Sequence, residues 1–141
     1  MGDLGEFFDD IRVGDRAPVL EHRLTRTDLV RYAGASHDFN PMHHDETKAQ
    51  AAGMPSVFGH GMFSAGLLAT ALTNYVGIGN LRRYQVRFTR QTWPDDLLRS
   101  EIVVREKDEA ARTVTLECRL LSDAGPVVEG TAVAAAPRRQ S

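Results

Sequence analysis

The chain has 141 residues and a formal net charge of −2, with 42% hydrophobic and 26% charged residues, the balance of a folded domain rather than a disordered segment. With 17 basic residues against 19 acidic ones it lacks the basic footprint of a nucleic-acid binder. A single cysteine, Cys118, excludes an internal disulfide and a cysteine-type zinc site, and fits a reducing compartment.

Residues 1–10 are acidic and carry no apolar run, so they do not read as a secretory signal. Residues 17–24 suit a first strand, although their alternation is poor. Thr25-Arg26-Thr27-Asp28 has capping-box spacing and opens a helix with an apolar side of Leu29, Val30, Tyr32 and Ala33, stopping at Gly34. A second short helix is expected over 46–52, with Asp45 as N-cap and Gly53 as the left-handed residue after its end. Residues 62–76, ending at Gly77, are apolar almost all the way round, the mark of a helix buried on most sides. The weakly polar stretch 62–72 within it falls short of the ~20 residues a membrane span needs, so a soluble, cytoplasmic protein is expected.

After Gly79 the period drops to two. Tyr84, Val86 and Phe88 alternate with polar residues, as do Val114, Leu116, Cys118 and Leu120, and both runs read as half-buried strands. Residues 97–105 and 127–135 complete a set of four, with Lys107-Asp108-Glu109 and Ser122-Asp123-Ala124-Gly125 as hairpin connections. No repeat or linker divides the chain, so one domain over 1–141 is expected. Helices followed by a run of strands predict an α+β fold, an antiparallel sheet wrapped on one long central helix.

The chemistry concentrates in Tyr32-Ala33-Gly34-Ala35-Ser36-His37-Asp38-Phe39-Asn40-Pro41-Met42-His43-His44-Asp45. Pro41 biases Asn40 away from helical angles and removes a donor, so the segment is a bend that can bring Asp38 and His43 face to face. An Asp–His pair can hold a water, take its proton and return one to carbon. The same residues also suit a polar loop whose Asp caps a turn and whose histidines are solvated, and composition alone does not choose between the two. His60-Gly61 is the complementary piece. Gly61 starts the apolar helix, where unpaired N–H groups and the helix dipole favour a developing oxyanion; a glycine needed only for tight helix entry is the alternative.

Ser36-His37-Asp38-Phe39-Asn40-Pro41-Met42-His43-His44-Asp45, followed by Gly59-His60-Gly61-Met62, resembles the signature of the MaoC-like dehydratases. That family includes R-specific enoyl-CoA hydratases and (3R)-hydroxyacyl-carrier-protein dehydratase subunits. The resemblance runs from about residue 7 to 135. It implies a hotdog fold, usually dimeric as a pair of identical or related hotdog subunits, with a substrate tunnel near the subunit interface. It implies Asp38 and His43 as the catalytic pair, the Gly61 N–H as oxyanion donor, and Ser36, Asn40 and His60 as supports. Two positions depart from the family pattern: His37 and Asp95 stand where glycine is usual.

The implied reaction is reversible hydration of a trans-2-enoyl thioester of CoA or acyl carrier protein to the (3R)-3-hydroxyacyl thioester. It calls for no metal or redox cofactor, CoA or phosphopantetheine being part of the substrate. Met54, Val57, Phe58, Phe63 and Leu67 are candidates for the tunnel lining, and Arg82, Arg83, Arg87 and Arg90 for CoA phosphates or an acidic carrier protein. The alternatives are a hotdog thioesterase, which attacks the carbonyl rather than C3, and a non-catalytic partner subunit that only binds acyl thioesters.

Overall fold

The computed structural model describes residues 7–137, so most of the acidic N-terminal segment lies outside the described residues. Three helices, α1 (Arg26–Ser36), α2 (Glu46–Ala51) and α3 (Gly61–Val76), accompany five strands, β1 (Glu21–Arg23), β2 (Leu81–Phe88), β3 (Leu97–Asp108), β4 (Thr113–Ser122) and β5 (Gly125–Ala135). The strands form one antiparallel sheet in the order β1-β3-β4-β5-β2. This is α+β, and the sheet curled on α3 is the hotdog arrangement that the motifs imply.

Strict alternation builds the sheet's inner face. Val114, Leu116, Cys118 and Leu120 of β4 are all fully buried, paired with Ala134, Ala132 and Val128 of β5 and with Val104, Ile102 and Ser100 of β3. Small residues at 132 and 134 let α3 approach, and its Ala65, Leu68, Ala71, Leu72 and Val76 sink into this face. Full burial of a leucine such as Leu68 or Leu72 contributes about 1.5–3 kcal/mol. The Tyr84 hydroxyl donates to the Ala65 carbonyl at 2.7 Å and pins β2 to the helix. Burial pushes the Cys118 thiol up to about 11, so it packs as a small apolar group rather than as a nucleophile.

The helix ends follow local chemistry. Thr25 and Asp28 form the expected capping box, Asp45 caps α2, and Gly53 and Gly77 take the positive φ of residues that follow a helix. Four expectations change. The first strand shrinks to Glu21–Arg23 plus a single bridge at Arg16, because Pro18 has no N–H to add to the ladder. Helix α1 runs past Gly34 to Ser36 and ends at His37, whose φ is +60°, while its Val30 faces solvent. Strand β3 continues through Lys107 and Asp108, which moves the hairpin turn beyond them. Finally, α3 is not covered all round: Met62, Gly66, Thr70 and Asn74, one stripe at i, i+4 spacing, are exposed. No helix among the described residues is long and apolar enough to cross a membrane.

Candidate active site

The bend between α1 and α2 is built from short side-chain-to-backbone bonds. The Ser36 hydroxyl donates to the Tyr32 carbonyl at 2.7 Å and accepts from the Asp38 N–H. Asp38 Oδ1 accepts from the Asn40 N–H, and Asn40 Oδ1 from the Met42 N–H. Asn40 thereby caps a 3-10 turn over Pro41–His43, with the proline at its start where a missing donor costs nothing. Each residue of this chain suits the turn it makes.

The turn delivers His43 to a buried position, 7% exposed, under a half-exposed Asp38. His43 Nε2 lies 3.8 Å from Asp38 Oδ2, too far for a direct hydrogen bond. The other ring nitrogen fixes the tautomer. Nδ1 is 2.6 Å from the Phe58 carbonyl oxygen, which can only accept, so Nδ1 carries the hydrogen and Nε2 of the neutral ring presents a lone pair. Two acceptors face each other across a gap suited to one water that donates to both.

His60 supports this pair from beneath. Its ring stacks on that of His43, with centroids 3.7 Å apart and 25° between planes, and Tyr32 packs edge-on against it at 4.8 Å. His60 Nε2 donates to the Asp38 carbonyl at 3.2 Å, so one buried side chain touches both members of the pair. Its Nδ1 has no partner among the described residues. Burial, reinforced by the nearby His43, holds His60 below the ordinary imidazole range. Asp38, His43 and His60 are the one set of three metal-ligating groups that converge among the described residues. One nitrogen of each ring is committed to a carbonyl, which leaves His43 Nε2 and His60 Nδ1 as the ring nitrogens without such a bond.

A cavity of about 450 Å³ opens beside His43, walled by Phe58, Gly59, Gly61, Ser64 and the strand end from Phe88 to Thr92. Gly61 opens α3, and the preceding His60 offers the helix no capping side-chain bond. A Cβ at Gly61 would stand 3.2 Å from the Phe88 ring, so glycine lets the aromatic wall close on the backbone. A larger concavity of about 610 Å³ lies on the outer sheet face, lined by none of the residues of the Asp–His pair; its charged residues are paired, Arg87 and Arg119 with Glu129 and Glu117 with Arg105.

Of the apolar residues expected near substrate, Phe58 lines the cavity with His43, whereas Val57 is buried in the core and Met54, Phe63 and Leu67 pack partly buried against it. Asp45 serves as the α2 cap, and His37 and His44 are exposed. Ser64, Thr92, Val127 and Val128 also wall the cavity, although no motif marks them. Phe88 is the terminal member of an alternating strand, and only its exposure of 53% against two buried-side neighbours sets it apart.

Comparisons with known proteins give the family. A MaoC like domain matches residues 13–125. The (R)-specific enoyl-CoA hydratase of Rhodospirillum rubrum is 29% identical over 94% of this chain and 93% of its own length. The 3-hydroxybutyryl-CoA dehydratase of Methylorubrum extorquens is 26% identical over 95% of this chain and 86% of its own. Among solved structures, the unliganded R-hydratase PhaJ1 from Pseudomonas aeruginosa superposes with a TM-score of 0.82 at 31% identity, covering 94% of this chain and 86% of that one. The chain belongs to the MaoC-like family.

Proposed function

We propose that this chain catalyses reversible addition of water across the C2=C3 bond of a trans-2-enoyl thioester, giving the (3R)-3-hydroxyacyl thioester. The observation that carries this reading is the 3.8 Å gap between His43 Nε2 and Asp38 Oδ2, two acceptors that a single water can bridge beside a cavity open to the Gly61 N–H. As the water oxygen bonds to C3, its proton passes to Asp38 and the C2=C3 electron pair moves through C2 into the thioester carbonyl. The oxygen that gains charge meets the Gly61 N–H at the positive end of α3. Return of a proton to C2, from the Asp38–His43 pair, completes the addition. Asn40 and Ser36 hold the bend, and His60 holds both the Asp38 carbonyl and the face of the His43 ring. No metal or redox cofactor enters the scheme.

The relatives are named for CoA substrates and supply the preferred handle; an acyl carrier protein presents the same phosphopantetheine thioester. A homodimer suits the uncovered surfaces, namely the second edge of β2, the exposed stripe of α3, and Phe39, Met62 and Phe88 near the site. A related hotdog subunit is the alternative partner, and light scattering on the purified chain distinguishes self-association from a need for a second chain. The enzyme assay is loss of enoyl absorbance with crotonyl-CoA, followed by mass analysis of products. A 3-hydroxybutyryl thioester is expected; release of free CoA with crotonate would instead identify a thioesterase.

A further inference from the structure

One charged group of the cavity has no task in this scheme. Arg90, three residues into the wall that begins at Phe88, lines the same cavity as His43 and Gly61. The arginines before it are engaged: Arg82 donates to the Gly79 carbonyl, Arg83 to Gln85 Oε1 at 3.1 Å, and Arg87 faces Glu129 at 4.0 Å. Arg90 has no ion pair and no hydrogen bond among the described residues, and no Asp or Glu lines the cavity with it. Its guanidinium lies in the space beside Gly125 at the β4–β5 turn, where an added Cβ would come within 3.6 Å of it. Arg90 is exposed whereas His43 is buried, so the cation stands nearer the cavity mouth than the imidazole. An unpaired guanidinium facing a cavity without acids attracts anions, and its planar fork fits phosphate or carboxylate oxygens.

We infer that Arg90 is the residue that binds an anionic oxygen group carried by the substrate, at the cavity mouth. The inference rests on the hydratase reading and adds a specificity residue to it. Two parts of a thioester carry such a group, the nucleotide phosphates of CoA and a carboxylate on the acyl chain.

The test compares wild type, R90A and R90K on three substrates: crotonyl-CoA, crotonyl-pantetheine without phosphate, and an enoyl-pantetheine ending in a carboxylate. The expected result is that the kcat/KM preference for crotonyl-CoA over crotonyl-pantetheine falls about tenfold in R90A, through KM, the size of one lost charge-assisted contact. R90K should retain part of the preference. A fall in the preference for the carboxylate substrate instead would support the inference and assign the anion to the acyl chain. Preferences that stay within twofold of wild type, or an equal loss on all three substrates, would overturn it. Wild type inert on every substrate would sink the hydratase reading, and calorimetry then decides Arg90 separately. Free CoA or the carboxylate-ended acyl-pantetheine binding tenfold more weakly to R90A than to wild type supports the anion site; equal binding of both overturns it.

Discussion

Two loops face each other across the cavity, 36–45 from the helical side and 89–96 leading into β3, and they are held in different ways. Loop 89–96 is anchored to distant chain. Thr89 donates to the Val127 and Pro126 carbonyls, the Thr92 carbonyl accepts from Gly59, and Asp95 and Asp96 exchange backbone bonds with Leu24. Loop 36–45 is held largely from within, each side chain bonding a backbone group two to four residues away. Its main long-range ties are the two histidine bonds, His43 to the Phe58 carbonyl and His60 to the Asp38 carbonyl, and the Phe58 N–H on Met42. The anchored loop is built for stability, while the self-capped loop sets the placement of a carboxylate and an imidazole. Damage to the second should therefore appear in turnover before it appears in melting temperature.

The strongest way to break that contrast is Asp38→Asn. Half exposed and, among the described residues, bonded within its own turn, the carboxylate carries little of the fold, yet in the proposed reaction losing it removes the base. A fall in kcat of about 10³-fold is expected, with the melting temperature almost unmoved. Full turnover by this variant would end the assignment of the pair. Next comes Asn40→Ala, which deletes the cap of the turn that carries His43. The loss of about 1 kcal/mol of local stability should be accompanied by a drop in kcat on the order of tenfold or more, because small misplacements of reacting groups are costly. Loss of stability without any loss of kcat would show that the turn does not set the geometry.

How much of this was legible in the sequence depends on the range of the interactions concerned. The Thr25–Asp28 box, the Asp45 cap and the Gly53 and Gly77 ends are decided by neighbours within a few residues, and all appear where spacing puts them. The buried face of β4 follows from alternation alone. Past Gly34, helix α1 continues because that glycine is not at a positive φ, and the left-handed residue comes three positions later. The exposed stripe of α3 was hidden because hydropathy records what a residue prefers, not what lies against it. Within the site, Pro41 announces a bend, but the Asp38–His43 distance depends on the carbonyl of Phe58 and the ring of His60, brought in from 15 and 22 residues away. No local pattern carries those contacts.

A smaller effect follows from His60. Burial lowers its pKa from an unfolded value of 6.5, so the unfolded chain takes up the proton first as the pH falls. The contribution to stability is complete above 6.5 and is lost as the pH drops from there toward the lowered value, with a slope below ~1.4 kcal/mol per pH unit. His43, Asp38 and His44 are the ionisable groups that act on His60 electrostatically. In His60→Gln, which keeps a donor for the Asp38 carbonyl but cannot titrate, denaturant midpoints between pH 5 and 7 should flatten relative to wild type. An unchanged slope would mean that another group unfolds the site in acid.

The smallest expected effect tests the two loops against each other at matching positions. His37 and Asp95 both take left-handed backbone angles, with φ of +60° and +75°, the region that favours glycine. Asp95 is fixed there from both sides, its N–H on the Leu24 carbonyl at 2.7 Å and its own carbonyl accepting from Arg23 at 2.7 Å. His37 is the exposed C-cap of α1, and its ring meets Phe39 edge-on at 5.9 Å. Glycine at either position removes a Cβ clash of about 1–2 kcal/mol and adds freedom to the unfolded chain worth roughly half as much. Each variant should therefore gain on the order of 0.5–1 kcal/mol, a rise in Tm of about 2–4 °C in differential scanning calorimetry. Their kinetics should part company. Asp95→Gly loosens a residue already clamped to β1 and should leave kcat alone, whereas His37→Gly frees the hinge beside Asp38 and should lower it a few-fold. If Asp95→Gly shifted kcat more than His37→Gly, the division between an anchoring loop and a placing loop would be wrong, and strain in the loop before β3 would be part of how the cavity is set for substrate.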